Sequence, residues 1–187
     1  TELAIKQNNT IDLLEQYYED TNDDHYINIE APNTKTVTVF RDDSTINREV
    51  TSISWHPSDS YKLAASYAVL EFQKNKDNQH NASYIWDINS PNQPYMILQP
   101  SSPLVTLEYN PKTTDHIVGG SYNGQISFWD LRKGGKPTDV TSLEHSHHDP
   151  VYDVFWIQSR TGYEFTTTST DGQILWWDIR RLKDGPI

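Results

Sequence analysis

Three Trp-Asp pairs, Trp86-Asp87, Trp129-Asp130 and Trp177-Asp178, each end a short apolar run, and their tryptophans stand 43 and 48 residues apart. A second spacing returns upstream of each pair. Val50, Ile53 and Trp55, then Leu104, Leu107 and Tyr109, then Val151, Val154 and Trp156 all read apolar-x-x-apolar-x-aromatic. Between these landmarks lie further strand-like runs at 63–67, 117–121 and 164–169, with others following at 95–98 and 140–143. Tyr122-Asn123-Gly124 and Thr170-Asp171-Gly172 supply tight-turn chemistry between runs. The chain therefore repeats one unit of about 40–45 residues three times.

A repeat of that length corresponds to one four-stranded antiparallel sheet, and such sheets stack face to face as the blades of a propeller. The expected fold is all-β, a WD-repeat β-propeller preceded by an N-terminal helix. A blade buries both faces, which accounts for the apolar side chains on both sides of Val151-Tyr152-Asp153-Val154-Phe155-Trp156. The β-branched run Lys35-Thr36-Val37-Thr38-Val39-Phe40 predicts a further strand. Ahead of it, Leu3, Ile11, Leu14 and Tyr18 fall near one face of a helix over 1–20, with Thr10 as an internal N-cap. Glu19, Asp20, Asp23 and Asp24 then form a polar connector. The expected division is a helical, acidic lead-in over 1–34 and a partial propeller over 35–187. The first unit is the longest: 31 residues separate Trp55 from Trp86, against 20 and 21 at the equivalent places. The excess falls in a polar insertion over 70–82, either a binding loop or a solvated one.

Charge narrows the partners. The net charge of the 187 residues is −11, and ten acids against three bases stand in residues 1–46. Attraction to nucleic acid phosphate needs a basic face, so no nucleic acid partner is expected. The absence of cysteine excludes disulfides, thiolate metal sites and cysteine nucleophiles, and fits a reducing compartment. No apolar run reaches the ~20 residues of a membrane span. No secretory leader is visible, so Asn8-Asn9-Thr10 and Asn81-Ala82-Ser83 read as chance matches to the glycosylation pattern. Gly119-Gly120 and Gly134-Gly135 are isolated pairs, not a phosphate loop. A start at Thr1 and a stop at Gly185-Pro186-Ile187 read as a fragment of a longer protein.

In the third unit His147, Ser169, Asp171 and Trp177 match the positions that form a hydrogen-bonded network in the WD-repeat family. That resemblance implies a chain from the indole to the Ser169 hydroxyl, the His147 imidazole and the Asp171 carboxylate. Read as a hydrolase triad, the same residues lack a nucleophile elbow, and the turn Asp follows the Ser by two residues. The second unit keeps Ser121, Asn123 and Trp129 but has Pro100 in place of His, and the first lacks the turn Asp. The structural reading is preferred, with no catalytic residue. His145-Ser146-His147-His148-Asp149 has the residue types of a metal site but no fixed ligand geometry, so no metal or cofactor is expected.

Three longer stretches resemble one family, the intermediate chains of axonemal outer-arm dynein. The first runs Ser101-Ser102-Pro103-Leu104-Val105-Thr106-Leu107-Glu108-Tyr109-Asn110-Pro111-Lys112. The second runs from Gly119 to Ile126 and on through Trp129-Asp130 and Arg132-Lys133-Gly134. The third joins Ser146–Tyr152 to Ser169–Arg180, and Ile5-Lys6-Gln7-Asn8-Asn9 extends the likeness upstream. The resemblance implies about seven blades, of which three stand in this chain, leaving one strand edge unpaired at the break. It implies a non-catalytic scaffold whose partners are dynein heavy chain tails, a second WD intermediate chain and light chains. The place implied is the axoneme of a cilium or flagellum, with the cytoplasm before assembly. A WD scaffold of another cytosolic complex, such as a dynein assembly factor or a ubiquitin-ligase substrate receptor, is the alternative.

Overall fold

The computed structural model describes residues 1–8, 33–42, 47–70 and 80–187. Two units are distinguished, Thr1–Val37 and Thr38–Ile187. In the first, α1 covers Glu2–Asn8, with Leu3 and Ile5 exposed. Thr10, Ile11, Leu14 and Tyr18, on which the longer helix was expected, lie outside the described residues.

The second unit holds eleven described strands in three antiparallel sheets. The first sheet contains β1 (Glu49–Trp55), β2 (Lys62–Ala68), β3 (Ser83–Asp87) and β4 (Met96–Leu98). The second contains β5 (Leu104–Tyr109), β6 (His116–Ser121), β7 (Ile126–Asp130) and β8 (Asp139–Val140). The third contains β9 (Val151–Trp156), β10 (Glu164–Ser169) and β11 (Ile174–Asp178). Each runs up and down in chain order, the expected partial WD-repeat propeller. The first strands β1, β5 and β9 lie side by side.

A bulge explains the upstream spacing. Strict alternation would place Val50 and Ile53 on opposite faces. Pairing slips by one residue between Val50 and Ser52, again between Leu104 and Thr106, and a third time where Val151 and Asp153 face Ser169 and Thr168. Thr51, Val105 and Tyr152 are the extra residues, each four before the strand's aromatic. A bulge there restores both apolar residues and the aromatic to one face, and it adds the twist that a blade needs.

The core lies between sheets. Ala64, Ile85 and Leu98 of the first pack on Leu104, Leu107, Tyr109, Ile117 and Trp129 of the second. Val118, Ile126 and Phe128 on the second sheet's other face pack on Val151, Val154, Trp156, Phe165 and Trp177 of the third. Neighbours Ile117 and Val118 thus serve opposite interfaces, as pleating requires. At equivalent positions Leu104, Leu107 and Tyr109 are at most 3% exposed, whereas Val50, Ile53 and Trp55 are 50–59% exposed. The difference is a packed neighbouring sheet.

Two expectations are corrected. Residues 35–40 form no strand; they are mostly exposed, and Phe40 packs its ring 5.2 Å from that of Trp86 instead. A β-branched run becomes a strand only where a ladder partner is offered. The run expected over 140–143 is a strand only in β8, with the Thr141 amide still donating to the Ile126 carbonyl at 3.0 Å, after which Leu143–His145 forms a 3-10 turn. Ser146 accounts for this, since its hydroxyl bonds the Ser142 carbonyl and the Thr141 hydroxyl. The turns at Gly124 and Gly172 need left-handed φ values of +83° and +79°; a Cβ at Gly124 would also strike the His147 carbonyl.

Candidate functional site

The three Trp-Asp pairs divide their labour in the same way. Trp86, Trp129 and Trp177 are at most 2% exposed. A buried indole N–H needs an acceptor, and each finds a different one: the Tyr67 hydroxyl at 3.1 Å, the Gly135 carbonyl at 3.1 Å and the Thr167 hydroxyl at 2.9 Å. Asp87, Asp130 and Asp178 each accept from the backbone N–H two residues on, at Asn89 (2.9 Å), Arg132 (3.2 Å) and Arg180 (2.9 Å). Such an Asx turn caps the end of the third strand and starts the next segment. The Arg132 and Arg180 guanidinium groups also bond Asp130 and Asp178, and hold both carboxyls below the usual carboxylate range.

In the third sheet the polar network is present, but one member differs. His147 Nδ1 lies 3.0 Å from Asp171 Oδ2, and Nε2 lies 2.8 Å from Thr167 Oγ1. The indole of Trp177 donates to the same Thr167 oxygen. The hydroxyl between indole and imidazole is therefore that of Thr167, not Ser169. Ser169 donates to the Pro150 carbonyl at 2.9 Å. Phe165 faces Trp177 across the ladder, and Thr167 is one pleat away from that pair while Ser169 is two. One satisfied assignment of protons runs Trp177 N–H to Thr167, Thr167 O–H to His147 Nε2, and His147 Nδ1–H to Asp171. Burial opposes ionisation of Asp171, but bonds from the Gln173 amide, His147 and the His148 amide outweigh it and lower its pKa. Thr167 and His147 are buried, so this arrangement braces sheet to loop and presents no nucleophile. Among the described residues no three His, Cys, Asp or Glu side chains are placed to hold a metal ion.

Polar groups also fasten sheet to sheet. The edge amide of Tyr109 donates to Ser54 Oγ at 3.1 Å, and the edge amide of Trp156 donates to Glu108 Oε2 at 3.1 Å. Ser54 and Glu108 hold the same place, one residue before the strand aromatic, so each sheet caps the inner edge of the next. Burial raises the Glu108 pKa to about 7; the Trp156 amide opposes the shift and Asp153 adds to it. The Asn110 side-chain amide donates to the Gly162 carbonyl at 2.8 Å, and Lys112 bonds the Arg160 carbonyl.

Arg48 was not legible as a functional residue. Its buried guanidinium pairs with Asp42 at 2.7 Å, bonds the His80 and Ala82 carbonyls and sits 5.0 Å from the centre of the Tyr67 ring. It anchors the end of the insertion whose tip, with Lys74, Asn75, Lys76, Asp77 and Asn78, lies outside the described residues.

A family model described as the dynein axonemal intermediate chain 3 WD40 domain matches residues 33–136. The chain belongs to the axonemal dynein intermediate chain family. It is 51% identical over 181 residues to "Dynein intermediate chain 3, ciliary" of Heliocidaris crassispina, covering 97% of this chain and 30% of that one. It is 49% identical over 185 residues to "Dynein axonemal intermediate chain 2" of Homo sapiens, covering 98% and 30%. It is 42% identical over 181 residues to "Dynein, 70 kDa intermediate chain, flagellar outer arm" of Chlamydomonas reinhardtii, covering 96% and 32%. The resemblance read from 101–112 and 146–180 is borne out. The chain spans about 30% of the length of these intermediate chains.

Proposed function

We propose that this segment belongs to a non-catalytic intermediate chain of outer-arm axonemal dynein, a scaffold joining heavy chain tails to other subunits for ciliary or flagellar motility. The supporting observation is the 42–51% identity to ciliary and flagellar intermediate chains over at least 96% of the segment. The disposition of polar groups agrees with it. Trp-Asp pairs, His147, Thr167 and Asp171 are spent on holding blades together, which leaves the loops to meet partners. The proposed partners are a dynein heavy chain tail, a second WD intermediate chain and light chains. The proposed locations are the axoneme and, before assembly, the cytoplasm.

The test is affinity capture of the full-length protein from ciliated cells. Recovery of a dynein heavy chain with a second WD intermediate chain is expected. Reproducible recovery of ubiquitin-ligase subunits without dynein chains would move the protein to the alternative class.

A further inference from the structure

Charge is divided between the two ends of the sheet stack. Antiparallel pairing puts the loops 110–115, 131–138, 157–163 and 179–187 at the Trp-Asp end of the second and third sheets. The loops 99–103, 122–125, 141–150 and 170–173 lie at the other end. From Leu104 to Ile187 the chain has eight Lys and Arg, and all of them stand in the Trp-Asp-end loops, which hold only Asp115 and Asp184 as acids. The opposite loops hold Glu144, Asp149 and Asp171 and no Lys or Arg. The first sheet's Trp-Asp-end loops, 56–61 and 88–95, have no Lys or Arg, so the basic ground is confined to two sheets.

Half of these cations are committed within the fold. Arg132 pairs with Asp130 at 2.9 Å, Arg180 with Asp178 at 2.5 Å, Arg181 with Asp184 at 3.2 Å and Lys183 with Asp139 at 2.8 Å. The rest, Lys112, Lys133, Lys136 and Arg160, are exposed and have no acid partner among the described residues. Their loops are nevertheless pinned. Asn110 accepts the Lys112 amide at 2.8 Å and the Thr113 amide at 3.0 Å, and Lys112 bonds the Arg160 carbonyl across the seam. Gly135, between Lys133 and Lys136, accepts at its carbonyl from the Gln99 amide at 2.9 Å and the Trp129 indole at 3.1 Å, and a Cβ there would strike the Ile97 carbonyl. Cations on pinned loops lose less freedom on association than cations on a mobile run. Like charges set on adjacent loops also repel one another, and no described acid relieves these four. An acidic surface brought against them would. A nucleic acid or an anionic membrane would extend past the two sheets and meet a chain of net charge −11, whereas a protein face can confine its acids to this ground.

We propose that the Trp-Asp end of the second and third sheets is a docking surface for an acidic face of a partner protein, with Lys112, Lys133, Lys136 and Arg160 as its free cations. The proposal rests on the scaffold reading above and names an end of the stack through which such a scaffold holds another subunit. The test labels lysine amines with N-hydroxysuccinimidyl acetate on the full-length protein, both free and within the assembly captured from ciliated cells. Lys112, Lys133 and Lys136 are expected to lose reactivity in the assembly. Carbodiimide, which joins an amine to a carboxylate in contact with it, is expected to link them to Asp or Glu of another subunit. Lys133→Glu combined with Lys136→Glu is expected to weaken binding of that subunit about tenfold or more at ~0.15 M salt, with an unchanged circular dichroism spectrum and unfolding midpoint. Equal reactivity in the free and assembled states, links confined to a second copy of this chain, or full retention of the subunit by the double variant would overturn the proposal. Equal protection by phosphatidylserine vesicles alone would overturn it in favour of a membrane surface. Which subunits the assembly contains tests the scaffold reading, and whether these lysines are covered in it tests this one, so either can fail alone.

Discussion

Trp177 and Thr167 show how much a single side chain contributes to one blade. The indole is fully buried against Phe165, and the hydroxyl serves both indole and imidazole. Trp177→Ala is expected to cost ~3–5 kcal/mol of unfolding free energy by chemical denaturation, as for other large-to-small core changes. Thr167→Val keeps the shape but strips the indole and imidazole of their shared partner, for an expected loss of ~1–3 kcal/mol. Ser169→Ala removes one bond to Pro150 and should cost less than Thr167→Val. The reverse order would restore Ser169 to the centre of the network. The types of the network's ends were legible, because Trp, His and a turn Asp stood at family spacing. The middle was not, because two hydroxyl residues on one strand face match that spacing and only the ladder register selects between them.

At the scale of the strand, the seam between the second and third sheets hangs on Glu108. Its native pKa of about 7 lies above the ordinary carboxyl range, so the native state binds this proton more tightly than the unfolded chain does. Its contribution is then fully present below the ordinary carboxyl pKa and is lost as pH rises through 7. The unfolding midpoint is expected to fall between pH ~4.5 and ~7 and to level off above that, and Glu108→Gln should flatten that decline. Asp130, Asp171 and Asp178 have lowered values, so they lose their contribution only as pH falls through the acid range. They do not confound the window. An equally steep decline in Glu108→Gln would assign the dependence to another group. The fourth strand follows a shared rule: the residue before each Trp accepts from the incoming chain, Ile85 from Tyr95, Phe128 from Thr138 and Trp176 from Ile187.

Across the molecule, α1 and the sheets belong to different units. Deleting residues 1–20 is expected to leave the cooperative unfolding of the sheets unchanged while lowering recovery of partners in the capture experiment. Loss of the sheet unfolding transition would show that the propeller needs this segment. The apolar faces of the end sheets, with Val50, Ile53 and Trp55 on one and Phe155, Ile174 and Trp176 on the other, repeat the positions that are buried inside the stack or mirror them. The sequence by itself determined the blade as the unit, the three Trp-Asp endings and the turns, since periodicity and turn chemistry act over a few residues. Even the bulge was written in it, as an apolar spacing of three where a strand allows two. Only the tertiary structure decided that Thr167 outranks Ser169, that Ser54 and Glu108 cap the next sheet, and that Arg48 grips the insertion. Ser54 and Tyr109 stand 55 residues apart, Glu108 and Trp156 48. A hydrogen bond reaches only about 3 Å, so at those separations the stacking of whole sheets chooses the partner and local pattern does not.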